Sequence, residues 1–120
     1  MSKKILLVDD DKDMCSTLAA ILKLDNKFEV DYTVSPLEAL EKIERTEYSL
    51  IIIDYKMPEM NGIELLEQIK LIRKDACVLM LTAFISTDLI EKAEKTGALK
   101  VLSKFLWPKE ICKQISAILE

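Results

Sequence analysis

The sequence predicts a single α/β domain built on a parallel sheet, and three observations carry that expectation. The apolar runs Ile5–Val8, Leu50–Ile53 and Cys77–Leu81 are short and continuous, as strands buried on both faces are. Between them lie segments whose apolar residues recur at helical spacing. The two kinds of segment alternate as five strand–helix units with no linker or low-complexity stretch. That alternation implies parallel strands, right-handed crossovers and helices on both faces of the sheet. With 120 residues, half of them hydrophobic, and only two glycines, the chain suits one domain over residues 1–120.

The first strand, Ile5–Val8, runs directly into Asp9-Asp10-Asp11. Met14, Leu18, Ile21 and Leu22 then mark one face of a helix that Asp11 is placed to cap. Phe28–Thr33 alternates apolar and acidic residues, so it reads as a half-exposed strand at a sheet edge. Ser35-Pro36-Leu37-Glu38 has the form of a capping box with proline at the first helical position, and Leu37, Leu40 and Ile43 supply that helix's inward face. Leu50–Ile53 is the central strand. Asp54 comes directly after it, and Pro58 with Asn61-Gly62 marks a loop. Ile63, Leu65, Leu66, Ile69 and Ile72 define a third helix. The strand Cys77–Leu81 ends in Thr82, and Ser86-Thr87-Asp88 opens a fourth helix that stops at Gly97. That helix has the poorest apolar face, Leu89, Ile90 and Ala93, and is expected to dock least firmly. Leu99–Leu102 is a short last strand followed by Ser103 and Lys104. Pro108 then begins a fifth helix with Ile111, Ile115, Ile118 and Leu119 inward.

Composition removes several classes of function. The net charge of -4 and the lack of a basic stripe argue against nucleic acid as a partner of this domain. No apolar run approaches the length of a membrane span, and Lys3-Lys4 before a short apolar run that ends in three aspartates is no signal peptide. Three cysteines without C-x-x-C spacing, in a chain without histidine, make a structural zinc site improbable. Free, buried thiols in a reducing cytoplasm are the expectation. With no glycine-rich loop after a strand, dinucleotide binding has no support.

The chemistry lies just beyond the strand ends. In a parallel sheet Asp9, Asp10, Asp54, Thr82 and Lys104 all fall along one edge, where open α/β sheets bind their ligands. Carboxylates held close repel one another and raise one another's pKa. A hard divalent cation such as Mg²⁺ relieves that conflict, and a hydroxyl with an ammonium opposite completes a cradle for a phosphoryl group. Asp54 could itself carry that group as an aspartyl-phosphate.

These residues, Val8-Asp9-Asp10, Asp54-x-x-Met57-Pro58 with Asn61-Gly62, Thr82-Ala83 and Lys104, resemble the receiver domains of two-component response regulators along nearly the whole chain. The resemblance implies a flavodoxin-like sheet of order 2-1-3-4-5, an order for which receivers are a standing example. It also implies roles. Asp54 is the expected phosphoacceptor, taking the group from a phosphohistidine of a sensor histidine kinase or histidine phosphotransfer protein. Asp10 and Asp54 are expected Mg²⁺ ligands with the Lys56 backbone carbonyl, and Asp9 acts through metal-bound water. Thr82 and Lys104 receive the phosphoryl oxygens. The domain is a signalling module that at most catalyses its own phosphorylation and slow dephosphorylation. Its switching surface is expected around the fourth helix, last strand and fifth helix, facing an output domain or downstream protein.

Five positions depart from the family pattern. Phe105 stands where proline usually follows the lysine, so the Lys104–Phe105 bond is expected to be trans, with a looser grip by Lys104. Val101 replaces the aromatic switch residue. Lys56 and Phe84 flank the route by which water would reach an acyl phosphate. Trp107 precedes Pro108 where a capping residue belongs, and Phe105-Leu106-Trp107 is either core displaced by one register or an exposed partner surface. Other readings compete. A calcium loop from Asp9 would need glycine and glutamate where Met14 and Ala20 stand. A haloacid-dehalogenase-like phosphatase would need a late acidic pair, but only Glu110 and Glu120 follow Lys104, and Asp54 would have no role. A receiver-like module that binds partners without being phosphorylated predicts lost site residues, and none is lost.

Overall fold

The three apolar runs lie side by side at the centre of the sheet. In the computed structural model, which describes residues 3–24 and 28–120, the strands are β1 (Lys3–Val8), β2 (Phe28–Thr33), β3 (Leu50–Ile53), β4 (Val78–Thr82) and β5 (Lys100–Ser103). They pair in parallel in the order β2-β1-β3-β4-β5, as expected for a flavodoxin-like fold. Every residue of β3 and β4 is buried, which is why neither run alternates. β2 lies at one edge and alternates in burial over most of its length, as its sequence does. No helix among the described residues is long and apolar enough to cross a membrane.

Strand alternation divides the core in two. Ile5, Leu7, Ile52, Leu79 and Leu81 face α1 (Lys12–Lys23) and α5 (Pro108–Leu119). Leu6, Val8, Ile51, Ile53, Val78 and Met80 face α2 (Pro36–Arg45), α3 (Gly62–Ile72) and α4 (Thr87–Thr96). Ile51 and Ile53 are 1% and 0% exposed, so truncating either to alanine would cost about 2–5 kcal/mol.

The helix starts are set locally. The Asp11 carboxylate accepts from the Asp13 and Met14 amides, and Ser86 Oγ accepts from the Leu89 amide. Gly97 ends α4 at φ 115°, a left-handed conformation that glycine adopts without strain. Ser35 Oγ accepts from the Glu38 amide, which is half of the box expected there. The full reciprocal box belongs to α3, between Asn61 and Glu64. Trp107 precedes α5 with no side-chain capping bond.

Four details of the packing differ from the expectation. Leu37 is 53% exposed and Leu40 only partly buried; α2 buries Ile43 as expected, with Pro36 and Ala39 beside it. At about 100° per residue, Leu37 lies outside the stripe centred on the proline. α1 centres its buried face on Cys15, Leu18, Ala19 and Leu22, with Met14 and Ile21 at its margins. On α5 Cys112 is buried, whereas Ile118 is only partly so. Leu99 is exposed and precedes β5, although its amide donates to the Val78 carbonyl. As expected, α4 buries little, only Leu89 and Ala93. The cysteines are free, Cys15 and Cys112 buried and Cys77 half-buried.

Candidate functional site

Strand register builds the site. Val8 pairs with Ile53, so Asp9 and Asp54 leave the sheet side by side. The Asp54 amide donates to the Val8 carbonyl at 3.0 Å, and the Asp9 amide to the Thr33 carbonyl at 3.2 Å. Both backbones are therefore held in the ladder beyond the last regular residue. Ile53 pairs with Met80, and β4 runs on to Thr82, opposite Ser103. The Lys104 amide donates to the Thr82 carbonyl at 2.9 Å, which aims the lysine back across the sheet edge.

Four of the expected residues meet there. Carboxylate oxygens of Asp9, Asp10 and Asp54 lie within 4.8 Å of one another. Lys104 Nζ is 2.7 Å from Asp9 Oδ2 and 2.9 Å from Asp54 Oδ2. Asp9 Oδ1 accepts from the Asp11 amide at 3.0 Å, so both Asp9 oxygens are engaged. Asp54 Oδ1 is buried and has no hydrogen-bond partner among the described residues. A cleft of about 400 Å³ opens over these groups, and Asp10, Asp54, Lys56, Phe84 and Lys104 are among its walls. The Lys56 ammonium lies 4.7 Å from the centroid of the Phe84 ring, a cation–π contact across the cleft mouth. Thr82 lies behind this lining. It is fully buried, and its Oγ1 accepts from the Phe84 amide at 3.0 Å.

The charges do not balance. Among the described residues, three clustered carboxylates have one ammonium, that of Lys104, in ion-pair contact. Burial pushes the Asp9 carboxyl up to about 6, and the negative charge of Asp54 acts in the same direction; the hydrogen bonds from Lys104 and the Asp11 amide only partly offset this. Burial alone would lower the Lys104 pKa, but its hydrogen bonds to Asp9 and Asp54 outweigh that and raise it. Clustered hard oxygen donors with excess negative charge, one oxygen unpartnered, fit a hard divalent cation.

Sequence reasoning overlooked Gly62. A Cβ there would lie 2.5 Å from the Asp54 carbonyl oxygen and 2.8 Å from Tyr55 Cα, and the Gly62 amide donates to the Tyr55 carbonyl. Only glycine lets α3 begin so close beneath the backbone of Asp54. Asn61-Gly62 was legible as a loop signal, but not this approach. The double contact of Lys104 was also unforeseen. No peptide bond among the described residues is cis, so Lys104–Phe105 is trans as expected. From that trans backbone Lys104 reaches two carboxylates at hydrogen-bond distance. Phe105 and Trp107 are 81% and 82% exposed, so this run is surface and not displaced core.

The comparisons with known proteins agree with this geometry. Residues 5–116 match the family described as response regulator receiver domain. The chain is 40% identical over 100 residues to the transcriptional regulatory protein ZraR of Klebsiella oxytoca, covering 83% of this chain but only 22% of that one. It is 30% identical over 104 residues to the sporulation initiation phosphotransferase F of Bacillus subtilis, covering 87% of this chain and 83% of that one. Among solved structures, a CheY-like receiver domain protein from Methanospirillum hungatei superposes with a TM-score of 0.92 at 30% identity, over 99% of this chain and 94% of that one. The Vibrio cholerae chemotaxis protein CheY4 superposes with a TM-score of 0.90 at 27% identity, over 99% and 100% of the two chains.

Proposed function

Because the chain belongs to the response regulator receiver domain family, a family of phosphoacceptor signalling modules and not of classical enzymes, we propose that Asp54 is its phosphoryl acceptor and Mg²⁺ its cofactor. The observation that carries this reading is the state of Asp54. One carboxylate oxygen is held by Lys104, and the other is buried beside the cleft with no partner. A nucleophile with an uncommitted lone pair, fixed through its second oxygen, is oriented for attack.

The donor is the phosphohistidine of a sensor histidine kinase or histidine phosphotransfer protein, the proteins with which receiver domains interact; these 120 residues carry no histidine of their own. The free Asp54 oxygen forms the new bond to phosphorus. The nitrogen–phosphorus bond breaks, and its electron pair leaves with the imidazole. Lys104 neutralises charge on the phosphoryl oxygens, and Thr82 turns its hydroxyl from the Phe84 amide toward them. Receiver domains bind Mg²⁺ at an acidic pocket. Here Asp10 and Asp54 would hold the ion with the Lys56 carbonyl, and Asp9, whose two oxygens are already engaged, would act through water. Bound Mg²⁺ supplies positive charge against the phosphoryl oxygens.

Loss of the Thr82–Phe84 bond would release the loop into α4, the helix with the fewest buried residues. The switching face is therefore α4, β5 and α5, turned toward an output domain or downstream protein, in the cytoplasm. Incubation with acetyl phosphate and Mg²⁺ followed by peptide mapping tests the assignment. Adduct on Asp54, absent in Asp54→Asn and without Mg²⁺, is expected. Adduct at another residue refutes it.

A further inference from the structure

Away from the phosphorylation cleft, a groove of about 560 Å³ runs between α2 and α3. Its apolar lining includes Leu37, Leu40 and Leu71, and every charged residue on it is acidic: Glu59, Glu64 and Glu67. The walls follow from helix geometry. Leu65, Leu66 and Ile69 turn the inner face of α3 into the core. Glu64, Glu67 and Leu71, at i, i+3 and i+7, form the stripe beside α2. Leu71 is 79% exposed and Leu37 53%.

The geometry points to the α2–α3 groove as a docking site for an amphipathic helix of another protein, one that presents leucine-sized side chains between lysines or arginines. Charge decides the occupant. Among the described residues no lysine or arginine pairs with Glu59, Glu64 or Glu67, and both ion pairs belong to Lys104. Glu64 accepts from the Asn61 amide, which fixes its carboxylate at the rim without neutralising it. An apolar helix face would cover Leu37 and Leu71, and flanking cations would relieve the repulsion among the three glutamates. An anionic membrane surface would meet the same carboxylates and be repelled. A second copy would have to offer its exposed Phe105–Trp107 run with Lys109. That contact joins unlike surfaces, so it would build rings or filaments and not a two-fold dimer.

None of the groove's residues belongs to the phosphoryl-handling set, so the inference stands or falls independently of the proposed function. The full chain is titrated with a labelled helical peptide carrying leucines at i, i+4 and i+7 with lysine flanks. Controls are the same peptide with glutamate flanks, and vesicles of phosphatidylcholine with phosphatidylglycerol. Backbone amide shifts locate the site. Saturable, salt-sensitive binding mapped to α2 and α3 is expected. The double variant L37K/L71K should weaken it by roughly tenfold or more, with unchanged circular dichroism and unchanged acetyl-phosphate labelling. No binding, equal binding of the glutamate peptide, shifts centred on the Trp107 loop, or undiminished affinity in L37K/L71K overturns the inference. So does vesicle binding, or self-association that L37K/L71K abolishes.

Discussion

Replacing Asp9 by asparagine should stabilise the protein at neutral pH, although it removes an ion pair. Asp9 is 6% exposed and 2.7 Å from Lys104, yet burial raises its pKa from 3.8 to about 6. A carboxyl whose folded pKa is raised contributes stability that is fully present below the unfolded value and is lost as pH rises through the folded value. At 1.36 kcal/mol per pKa unit, a rise from 3.8 to about 6 corresponds to a loss on the order of 3 kcal/mol between about pH 4 and pH 6. Protonated aspartate and asparagine are close to isosteric, so the two proteins should be nearly equal in stability at about pH 4. Asp9→Asn should then gain on wild type up to about pH 6 and hold its lead at pH 7. Urea unfolding of both proteins from pH 4 to 7 in a chelator measures the difference, and equal slopes against urea confirm comparable folded states. A difference that is flat with pH, or that favours wild type increasingly as pH rises, refutes the argument. Millimolar Mg²⁺ should narrow the gap at pH 7, because a cation that binds the folded protein favours the charged carboxylates whose burial is otherwise costly.

Lys104→Met should lose about 3–5 kcal/mol at pH 7 by leaving Asp9 and Asp54 buried without their cation, and less at pH 5, where Asp9 holds its proton in the folded state; chemical unfolding at both pH values checks this. Gly62→Ala should lose about 1–3 kcal/mol, because a Cβ would press on the backbone of Asp54 and Tyr55, and thermal unfolding reads the loss. Asp10→Ala should leave the melting temperature near that of wild type, since Asp10 is exposed, while abolishing Mg²⁺-dependent labelling by acetyl phosphate. Burial pushes the Cys15 and Cys112 thiols up to about 12 and 11, so iodoacetamide at pH 8 should modify both far more slowly in the folded protein than in urea, as read by peptide mapping.

Most of the fold was legible in the sequence because its signals are local. Continuous apolar runs marked β3 and β4, alternation marked β2 as an edge, and proline, serine and glycine marked where helices start and stop. The positions of Asp9, Asp54, Thr82 and Lys104 after their strands were legible for the same reason, since a parallel sheet brings all such ends to one edge. Side-chain partnership was decided only by the tertiary structure. Lys104 reaches Asp54 across fifty residues of chain, and Asp9 from further still, because register sets Val8 beside Ile53 and Thr82 beside Ser103. Spacing within one element carries no information about that register. Leu37 lies outside the core because Pro36 takes the central place on the helix stripe, and Phe105 and Trp107 face solvent because their loop leaves the sheet edge before α5 turns back. In each of these cases hydrophobicity marks a residue as able to be buried, and the packing of distant elements determines whether anything covers it.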